Sequence, residues 1–340
     1  MQTSNTESQQ ATFEIAVGID DAFTVPLMVL AYSGLPASSE LNWNVFYFPE
    51  KLERRSIDLI SAVFSFFEIK HSFHEIYEED IFDSRRYLSS STFLKFGAFE
   101  KLGPNTLWLD GDLLLLNRWN ELKTHVDKKF PLQAIDQPKG GNQRFNAGLM
   151  MLNQPLSENW RSEIKSAPKE RYSSDQVIFN NLYSEIYGSL PMAFNTLWGN
   201  LVTLSTPLRP RIIHYGGANK PWHLPDRFIS TCLRDDCVWK PYLMTQQSFL
   251  ESLPKELSFE IVNRLREVRR KRPTYYKREA LGRQLSYLLE VSGALSWILV
   301  GLLRVFRSRL PAQALHPVHG KKRMWNWKAR KDQGEGVRDG

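Results

Sequence analysis

The sequence predicts an α/β protein with a mostly parallel sheet that is covered by helices on both faces. Short apolar runs of strand-forming residues recur at residues 13–19, 44–48, 66–73 and 106–109. The stretches between these runs are long enough to hold helices, as at residues 52–63 and 92–102. Strands that alternate with helices are typical of parallel sheets. Ligands of such sheets bind at the carboxyl ends of the strands, so the polar residues after each run form the candidate site.

The composition is that of a globular protein with a sizeable core. The chain has 340 residues, of which 42% are hydrophobic and 24% are charged. Its two cysteines, Cys232 and Cys237, have a spacing that matches no common zinc motif, so we expect free thiols in a reducing compartment. Residues 1–10 are polar and lack the basic start and apolar centre of an export signal, so we expect a cytoplasmic location.

The net charge of +7 is unevenly distributed along the chain. Residues 264–340 hold 19 Lys and Arg against six Asp and Glu, whereas residues 1–263 hold 25 against 31. The basic surface is therefore in the C-terminal part. We predict a disordered start at residues 1–12, a globular domain at 13–240, a helical basic extension at 241–310 and a flexible basic tail at 311–340.

The basic extension favours an anionic membrane surface as its partner. Its basic run, RLREVRRKR at residues 264–272, precedes aromatic residues such as Tyr275, Trp297 and Trp325 that suit a lipid interface. The apolar run at residues 291–303 is shorter than the about 20 residues that a spanning helix needs. We therefore expect peripheral attachment to the inner face of the cytoplasmic membrane, with a solvated basic helix as the alternative. Nucleic-acid binding is not expected, since the pI of 9.3 is its sole support.

Two carboxylates stand at the end of the strand at residues 106–109. In LWLDGDLLLL, Asp110 and Asp112 lie between two apolar runs and are separated by one glycine. Carboxylates in such surroundings need a counter-charge, which a hard divalent cation supplies, and two phosphate groups of a nucleotide can complete the octahedron around that cation. The alternative is a polar turn between two strands, in which Gly111 supplies backbone freedom.

A second cluster of polar residues follows the short strand in RIIHYGGANKPW. The strand ends at His214, whose imidazole is a suitable third ligand for a cation that two aspartates already hold. Gly216 and Gly217 permit a close approach of the backbone to phosphate oxygens, and Lys220 adds a positive charge. The alternative is a histidine at a strand end, followed by a glycine turn and a surface lysine.

These motifs resemble, in their order, those of the family 8 glycosyltransferases with the GT-A fold, and bacterial lipopolysaccharide hexosyltransferases look closest. The matching pieces are VGIDDAF, SSSTFLKFG, DGD, AIDQP, FNAGLMMLN, SSDQVIFNNL and HYGGANKPWH, which together span about residues 13–230. The resemblance implies a Rossmann-like mixed sheet flanked by helices, with the glycosyltransferase domain at residues 13–240. It also implies transfer of a hexose, with retention of configuration, from a UDP-sugar to a glycan or lipid-linked glycan acceptor.

The resemblance assigns a role to each matching residue. It implies a metal site for Mn²⁺ or Mg²⁺ at Asp110, Asp112 and His214. It implies nucleotide contacts at Asp20, Asp21, Phe23, Gly217 and Lys220, donor-sugar contacts at Lys95, Asp136, Asn146 and Asp175, and catalytic positions at Asp175 and Gln176.

Three residues depart from the family pattern. Ala22 stands where relatives often have Asn, Phe93 replaces a common Arg, and Val177 stands where relatives often place another Asp. The last change removes a carboxylate nucleophile, and together the three leave open a non-catalytic module that binds UDP-sugars or glycans. A test for UDP release from UDP-sugars distinguishes a hexosyltransferase from such a binding module.

Overall fold

The computed structural model describes residues 14–36, 41–77, 90–137, 144–166, 174–203, 209–217, 220–224, 226–234 and 237–271. These residues all belong to one compact unit, Met1–Lys271. The predicted disordered start, the apolar run at residues 291–303 and the predicted flexible tail lie outside the described residues. Among the residues that are described, no helix is long and apolar enough to cross a membrane.

A mixed sheet of seven strands forms the centre of this unit. Its strands are β1 (Glu14–Gly18), β2 (Asn42–Tyr47), β3 (His71–Glu75), β4 (Thr106–Leu109), β6 (Leu132–Asp136), β7 (Phe145–Leu152) and β8 (Gly188–Leu190), in the order β3-β2-β1-β4-β7-β6-β8. The first four in this order are parallel, whereas β7 runs antiparallel to both β4 and β6. The predicted α/β class with a mixed sheet is confirmed.

A second, smaller sheet lies at the end of β4. It consists of β5 (Leu113–Leu115), β10 (Ile212–His214) and β9 (Thr196–Leu197), in that order. Its antiparallel pairing sets His214 opposite Leu113. The chain therefore brings the end of β10 next to the turn that follows β4, although 100 residues of sequence separate them.

The helices lie between and after the strands. They are α1 (Thr24–Ser33), α2 (Arg54–Phe66), α3 (Leu94–Leu102), α4 (Trp160–Ser166), α5 (Asp175–Tyr183), α6 (Trp198–Thr203), α7 (Asp226–Arg234), α8 (Lys240–Glu251) and α9 (Lys255–Lys271). Aromatic side chains of α3 and α5 meet in the core, where the rings of Phe96 and Phe179 stack 4.2 Å apart. Burial of this apolar surface between helices and sheet is the main stabilising contribution.

The strand predicted at residues 66–73 is wrong in its first half. Helix α2 continues to Phe66, and the strand begins at His71. The buried positions Leu59, Ile60 and Val63 follow the helical period, and the helix ends where Glu68 adopts a left-handed φ of 55°. Apolar residues at a helix end and at a strand start were therefore merged into one predicted strand.

The prediction of free thiols is also corrected. Cys232 and Cys237 form a disulfide, with their Cα atoms 5.2 Å apart. Helix α7 ends at Arg234 and α8 begins at Lys240, and this short connection brings the two residues within bonding distance. Because the two thiols are joined, they give no reason to expect a reducing compartment.

The described part of the helical extension predicted at residues 241–310 consists of α8 and α9, with Pro254 between them. Helix α8 packs against α1 and α7, and α9 packs against α1. The Tyr32 ring of α1 lies 5.4 Å from the ring of Phe249 in α8. The compact unit thus continues through both helices to Lys271. A functional division at residue 240 stays a prediction.

Candidate active site

The three predicted metal ligands lie together at the junction of the two sheets. Asp110 follows β4, Asp112 precedes β5, and His214 ends β10. One ligand atom from each lies within 4.8 Å of the others. The hydrogen bond from the Tyr215 backbone N–H to the Asp112 carbonyl, at 2.9 Å, extends the pairing of β5 and β10 past His214. The small sheet therefore brings the histidine to the two carboxylates.

Gly148 of β7 makes room for the histidine ring. A Cβ atom at this position would lie 2.3 Å from Cε1 and 2.7 Å from Nδ1 of His214. Such distances are far below van der Waals contact, so any side chain at residue 148 would displace the ring. The glycine of the FNAG motif is thus required by packing against a residue that lies 66 positions further along the chain.

Hydrogen bonds to amide side chains determine the tautomer of His214. The Gly148 N–H donates to Oδ1 of Asn146 at 2.9 Å, which identifies that atom as the oxygen. Asn195 donates from Nδ2 to the same oxygen at 2.8 Å, so its own Oδ1 faces Nδ1 of His214 at 2.9 Å. Nδ1 therefore carries a proton, and Nε2 is the nitrogen available for a metal ion.

The donor set fits a hard divalent cation. His214 Nε2 lies 3.2 Å from Oδ1 of Asp112, an oxygen that is buried and accepts no hydrogen bond among the described residues. A lone pair that faces a carboxylate at this distance requires either a second proton or a cation between them. Two carboxylates and one imidazole match the ligand preferences of Mn²⁺ and Mg²⁺. Burial favours the neutral acid, yet the ammonium group of Lys220 holds the pKa of Asp112 well below its ordinary value.

Lys95 forms a second buried ionic cluster beside the metal ligands. Its side chain is 1% exposed, and its ammonium group contacts Asp175, Oδ1 of Asp110 at 3.3 Å and the Ala147 carbonyl at 3.1 Å. Burial by itself would lower the pKa of Lys95, but Asp110 and Asp175 raise it above its ordinary value. The Trp108 indole donates to the same Asp110 oxygen at 2.7 Å, so Oδ2 is the oxygen without a described donor. A contact of Lys95 with a donor sugar, as predicted, would require it to exchange one of these partners.

Helix α5 begins at Asp175, directly after Ser174. The side chain of Ser174 accepts a hydrogen bond from the backbone N–H of Val177, which caps the helix. Asp175 is 7% exposed and holds Lys95, and Gln176 lies in the first turn beside it. The N-terminal turn of α5 therefore brings both predicted catalytic residues to the site.

The Gln176 side chain belongs to a continuous chain of hydrogen-bonded amides. Its Oε1 accepts from Nδ2 of Asn146 at 3.1 Å and from the Ala147 N–H at 3.2 Å. Its Nε2 donates to Oε1 of Gln137 at 2.9 Å. Because Asn146 also binds Asn195, this chain connects the predicted catalytic glutamine to the predicted metal ligand His214.

The predicted nucleotide residues after β1 form a short 3-10 helix, Asp21–Phe23. Asp20 caps it by accepting a hydrogen bond from the Ala22 N–H at 3.0 Å. The Phe23 ring meets the Trp222 ring edge to face at 5.6 Å and lies against Gly111, where a Cβ atom would approach it to 2.9 Å. The loop after β1, the DGD turn and the KPW segment therefore meet at this ring.

Asp21 has protein partners on two helices. Its Oδ1 accepts from the Glu53 N–H at 3.0 Å and from the Ser56 hydroxyl at 2.8 Å. The guanidinium of Arg264 in α9 lies 2.7 Å from the same oxygen. The carboxylate thus binds α2 and α9, and a contact of Asp21 with a nucleotide stays a prediction.

The segment after β10 places one positive charge, that of Lys220, beside Asp112. Gly217 has a φ of 94°, which other residues rarely adopt. The Lys220 side chain is 10% exposed, and its ammonium group pairs with Oδ2 of Asp112 and donates to the Tyr215 carbonyl at 2.9 Å. The site as a whole carries one negative charge in excess. It contains three carboxylates, at residues 110, 112 and 175, and two ammonium groups, at residues 95 and 220. A divalent cation would reverse this sign and favour an anionic substrate.

Comparison with known families identifies this arrangement. The sequence model of the family described as "Glycosyl transferase family 8" matches residues 14–225, which is more than half of the chain. The chain belongs to glycosyltransferase family 8. All of the predicted site residues lie inside the matched region of this glycosyltransferase.

Solved structures confirm the GT-A fold. The galactosyltransferase LgtC, in complex with donor and acceptor sugar analogs, superimposes with a TM-score of 0.57 at 20% identity, over 72% of this chain and 98% of LgtC. An active-site mutant of LgtC gives a TM-score of 0.56 at the same identity and coverage. Glycosyltransferase GlyD of Streptococcus pneumoniae serotype 4 is 22% identical over 166 residues, or 41% of this chain. The match spans 20% of the length of GlyD.

Asp136, predicted to contact the donor sugar, lies exposed at the end of β6. Its Oδ1 accepts a hydrogen bond from the Tyr187 hydroxyl at 2.7 Å. Burial, together with this bond, raises the pKa of Tyr187 to about 12. The Tyr187 ring also packs on Phe145 at 4.7 Å, so β7 and the residue before β8 support the carboxylate from one side.

Four residues that contact the candidate site residues were not identified from the sequence. These are Gln137, Tyr187, Asn195 and Arg264. Gln137 stands next to the AIDQP aspartate, so its proximity to a motif was a usable indication. Asn195 and Tyr187 lie outside every motif, and Arg264 was assigned to the membrane-binding surface of the basic extension because of its charged neighbours.

Proposed function

We propose that this glycosyltransferase is a metal-dependent, retaining hexosyltransferase that uses a UDP-sugar donor. The observation that carries this proposal is the geometry at His214, whose Nε2 faces the buried Asp112 while Asn195 holds its Nδ1. An amide that accepts a hydrogen bond from one ring nitrogen of a histidine, and so points the other nitrogen towards carboxylates, is typical of metal sites. Asp110, Asp112 and His214 would hold Mn²⁺ or Mg²⁺, which would neutralise charge on the departing UDP.

The surrounding residues would bind the nucleotide. Asp20 and Phe23 would contact the ribose or base, because they lie in the loop at the carboxyl end of β1. Gly217 would let the backbone approach the diphosphate, and Lys220 would stabilise its negative charge. The edge-to-face contact of Phe23 with Trp222 supports this assignment, since it joins the two nucleotide segments.

Transfer would break the bond between the hexose anomeric carbon and the UDP oxygen and form a bond from that carbon to an acceptor hydroxyl oxygen on the same face. The hydroxyl proton would pass to a diphosphate oxygen. No carboxylate stands at residue 177 to act as a nucleophile. Asp175 and Gln176 would instead stabilise positive charge at the anomeric carbon. Asp136, Asn146 and Lys95 would bind the donor sugar.

The acceptor that we propose is a glycan or lipid-linked glycan of the lipopolysaccharide type. The motif resemblance to bacterial lipopolysaccharide hexosyltransferases supports it, and LgtC was solved with donor and acceptor sugar analogs. A lipid-linked acceptor agrees with a position at the inner face of the cytoplasmic membrane. The basic and aromatic residues beyond 271 would provide peripheral attachment.

Arg264 must be removed from the predicted membrane-binding segment. Its side chain is 5% exposed and pairs with Asp21, so it is not available to lipid. To test attachment, the full chain and a chain that ends at Lys271 are compared for binding to vesicles that contain phosphatidylserine. We expect binding to be lost in the shorter chain. Equal binding of both chains would contradict attachment through residues 272–340.

The decisive experiment measures UDP release from UDP-glucose and UDP-galactose with Mn²⁺, with Mg²⁺ and with chelator. We expect release that depends on the metal, and its loss in Asp112→Asn. Asp58→Asn, at an exposed position of α2, is the control and should behave as the wild type. Release that is insensitive to chelator would contradict the metal site. Metal-dependent UDP-sugar binding without release would favour the non-catalytic binding module.

A further inference from the structure

Helix α9 contacts both segments that surround the proposed nucleotide subsite. Arg264 lies 2.7 Å from Asp21, which is the first residue of the 3-10 helix Asp21–Phe23. Five positions further along, Nε of Arg269 donates to the Trp222 carbonyl at 2.9 Å. One helix near the end of the described chain therefore ties the loop after β1 to the segment after β10.

The Arg264 guanidinium is held in a fixed position. It donates to the Ser56 hydroxyl at 2.8 Å, and it lies 3.0 Å from the Glu267 carboxylate. Its side chain is 5% exposed, so its charge is shielded from water. A planar group with several partners in a buried site has little freedom to move. Asp21, which takes two further hydrogen bonds from α2, is thus fixed from two helices.

We propose that Arg264 is a positioning residue for the nucleotide subsite and acts through Asp21. This inference rests on the proposed binding of UDP between Phe23 and the KPW segment. By fixing Asp21, the guanidinium holds the turn in which Asp20 and Phe23 lie, and Arg269 holds the Trp222 backbone on the other side. The first basic residues of the C-terminal region therefore serve donor binding, and the membrane role falls to the residues beyond α9.

The test compares Arg264→Gln, Arg264→Lys and Arg266→Gln with the wild type in the full chain. Arg266 is exposed on the same helix and contacts Asn263, which makes it the matched control. Hydrogen–deuterium exchange of the ligand-free protein reports on the turn after β1. Calorimetry with UDP and Mn²⁺ reports the Kd, and donor hydrolysis reports KM and kcat.

In Arg264→Gln we expect faster exchange at Ala22 and Phe23, whose N–H groups bond to Asp20, without faster exchange in β1. The Kd for UDP and the KM for donor should rise about 10-fold, with kcat changed by less than about 2-fold. Arg264→Lys should recover part of the affinity, and Arg266→Gln should match the wild type.

Two results would overturn the inference. The first is unchanged exchange in the turn, and the second is an exchange increase spread over the whole compact unit with an unchanged Kd. If Arg264→Gln does not fold, Asp21→Asn breaks the same pair from the other side and should give the same local exchange. If the wild type binds no UDP, the proposed function fails, and the exchange data alone decide whether Arg264 holds the turn.

Discussion

Asn195 accepts a hydrogen bond from Nδ1 of His214 at 2.9 Å, and this contact determines which ring nitrogen faces Asp112. The orientation of Asn195 is itself set by Asn146, whose Oδ1 is identified by the N–H of Gly148. A backbone group of the central sheet thus determines the protonation pattern of a side chain in the small sheet.

Replacement of Asn195 should weaken metal binding without disrupting the fold. In Asn195→Ala, Nδ1 of His214 loses its acceptor and the ring can rotate or change tautomer. We expect the affinity for Mn²⁺ to fall about 10- to 100-fold, as measured by electron paramagnetic resonance of the free ion. Asn181→Ala, at an exposed position of α5, should bind Mn²⁺ like the wild type. Equal affinity in both variants would show that Asn195 does not orient the histidine.

A methyl group at residue 148 should displace His214. The Cβ atom of Gly148→Ala would lie 2.3 Å from the imidazole ring. We expect the free energy of unfolding to fall by about 1–3 kcal/mol and Mn²⁺ binding to weaken. A Cβ atom at Gly199 in α6 would meet none of the described atoms within 4 Å, so Gly199→Ala serves as the control. A stable Gly148→Ala protein with full metal affinity would contradict the packing argument.

Loss of the buried ammonium group of Lys95 should destabilise the protein. Lys95→Met leaves Asp110 and Asp175 without their shared counter-charge, which costs about 3–5 kcal/mol for a buried ion pair. Urea denaturation should detect the change, and the double variant Lys95→Met with Asp175→Asn should recover part of it. Lys101→Met, exposed on the same helix, should change stability by less than about 0.5 kcal/mol. A similar effect of both lysine changes would argue against the cluster.

The amide of Gln176 should affect turnover more than donor binding. If it stabilises charge at the anomeric carbon, Gln176→Ala should lower kcat by about 10-fold or more with little change in UDP affinity. Steady-state hydrolysis and calorimetry measure the two effects. Gln154→Ala at an exposed site is the control. Loss of UDP binding with normal turnover at saturation would contradict this role.

The ion pairs at α9 should weaken in acid. Hydrogen bonds from Arg264, with those from Arg55, lower the pKa of Glu267 below its ordinary value of 4.5. A carboxyl whose native pKa is lowered stabilises the fold above the unfolded value, and this contribution is lost as pH falls through the native value. Glu267→Gln should therefore reduce the loss of stability below about pH 4.5, by less than about 1 kcal/mol because the pair is near the surface. Urea denaturation at pH 7 and at pH 4 measures the change in the free energy of unfolding between the two pH values. Glu256→Gln is the exposed control on the same helix.

Short motifs were sufficient to select the three candidate metal ligands and the two candidate catalytic residues, Asp175 and Gln176, which the structure brings to one site. Each of these features depends on residues that are close in the sequence, such as the apolar runs around Asp110 or the serine that caps α5. Local patterns report strand and helix ends well, because burial follows the period of each element. The merged strand at residues 66–73 shows the limit, since apolar residues there belong to two elements.

The sequence by itself determined the fold class, the family and the identity of the principal candidate residues. The tertiary structure alone decided how these residues are held. Local patterns do not encode contacts between separate elements. Such contacts define the roles of Asn195 and Arg264 and allow the disulfide between Cys232 and Cys237. Arg264 shows the reason most clearly. Its basic neighbours indicated a surface that faces an anionic membrane or, as the alternative, water. The packing of α9 instead buries Arg264 against Asp21, and only the three-dimensional arrangement supplies that counter-charge.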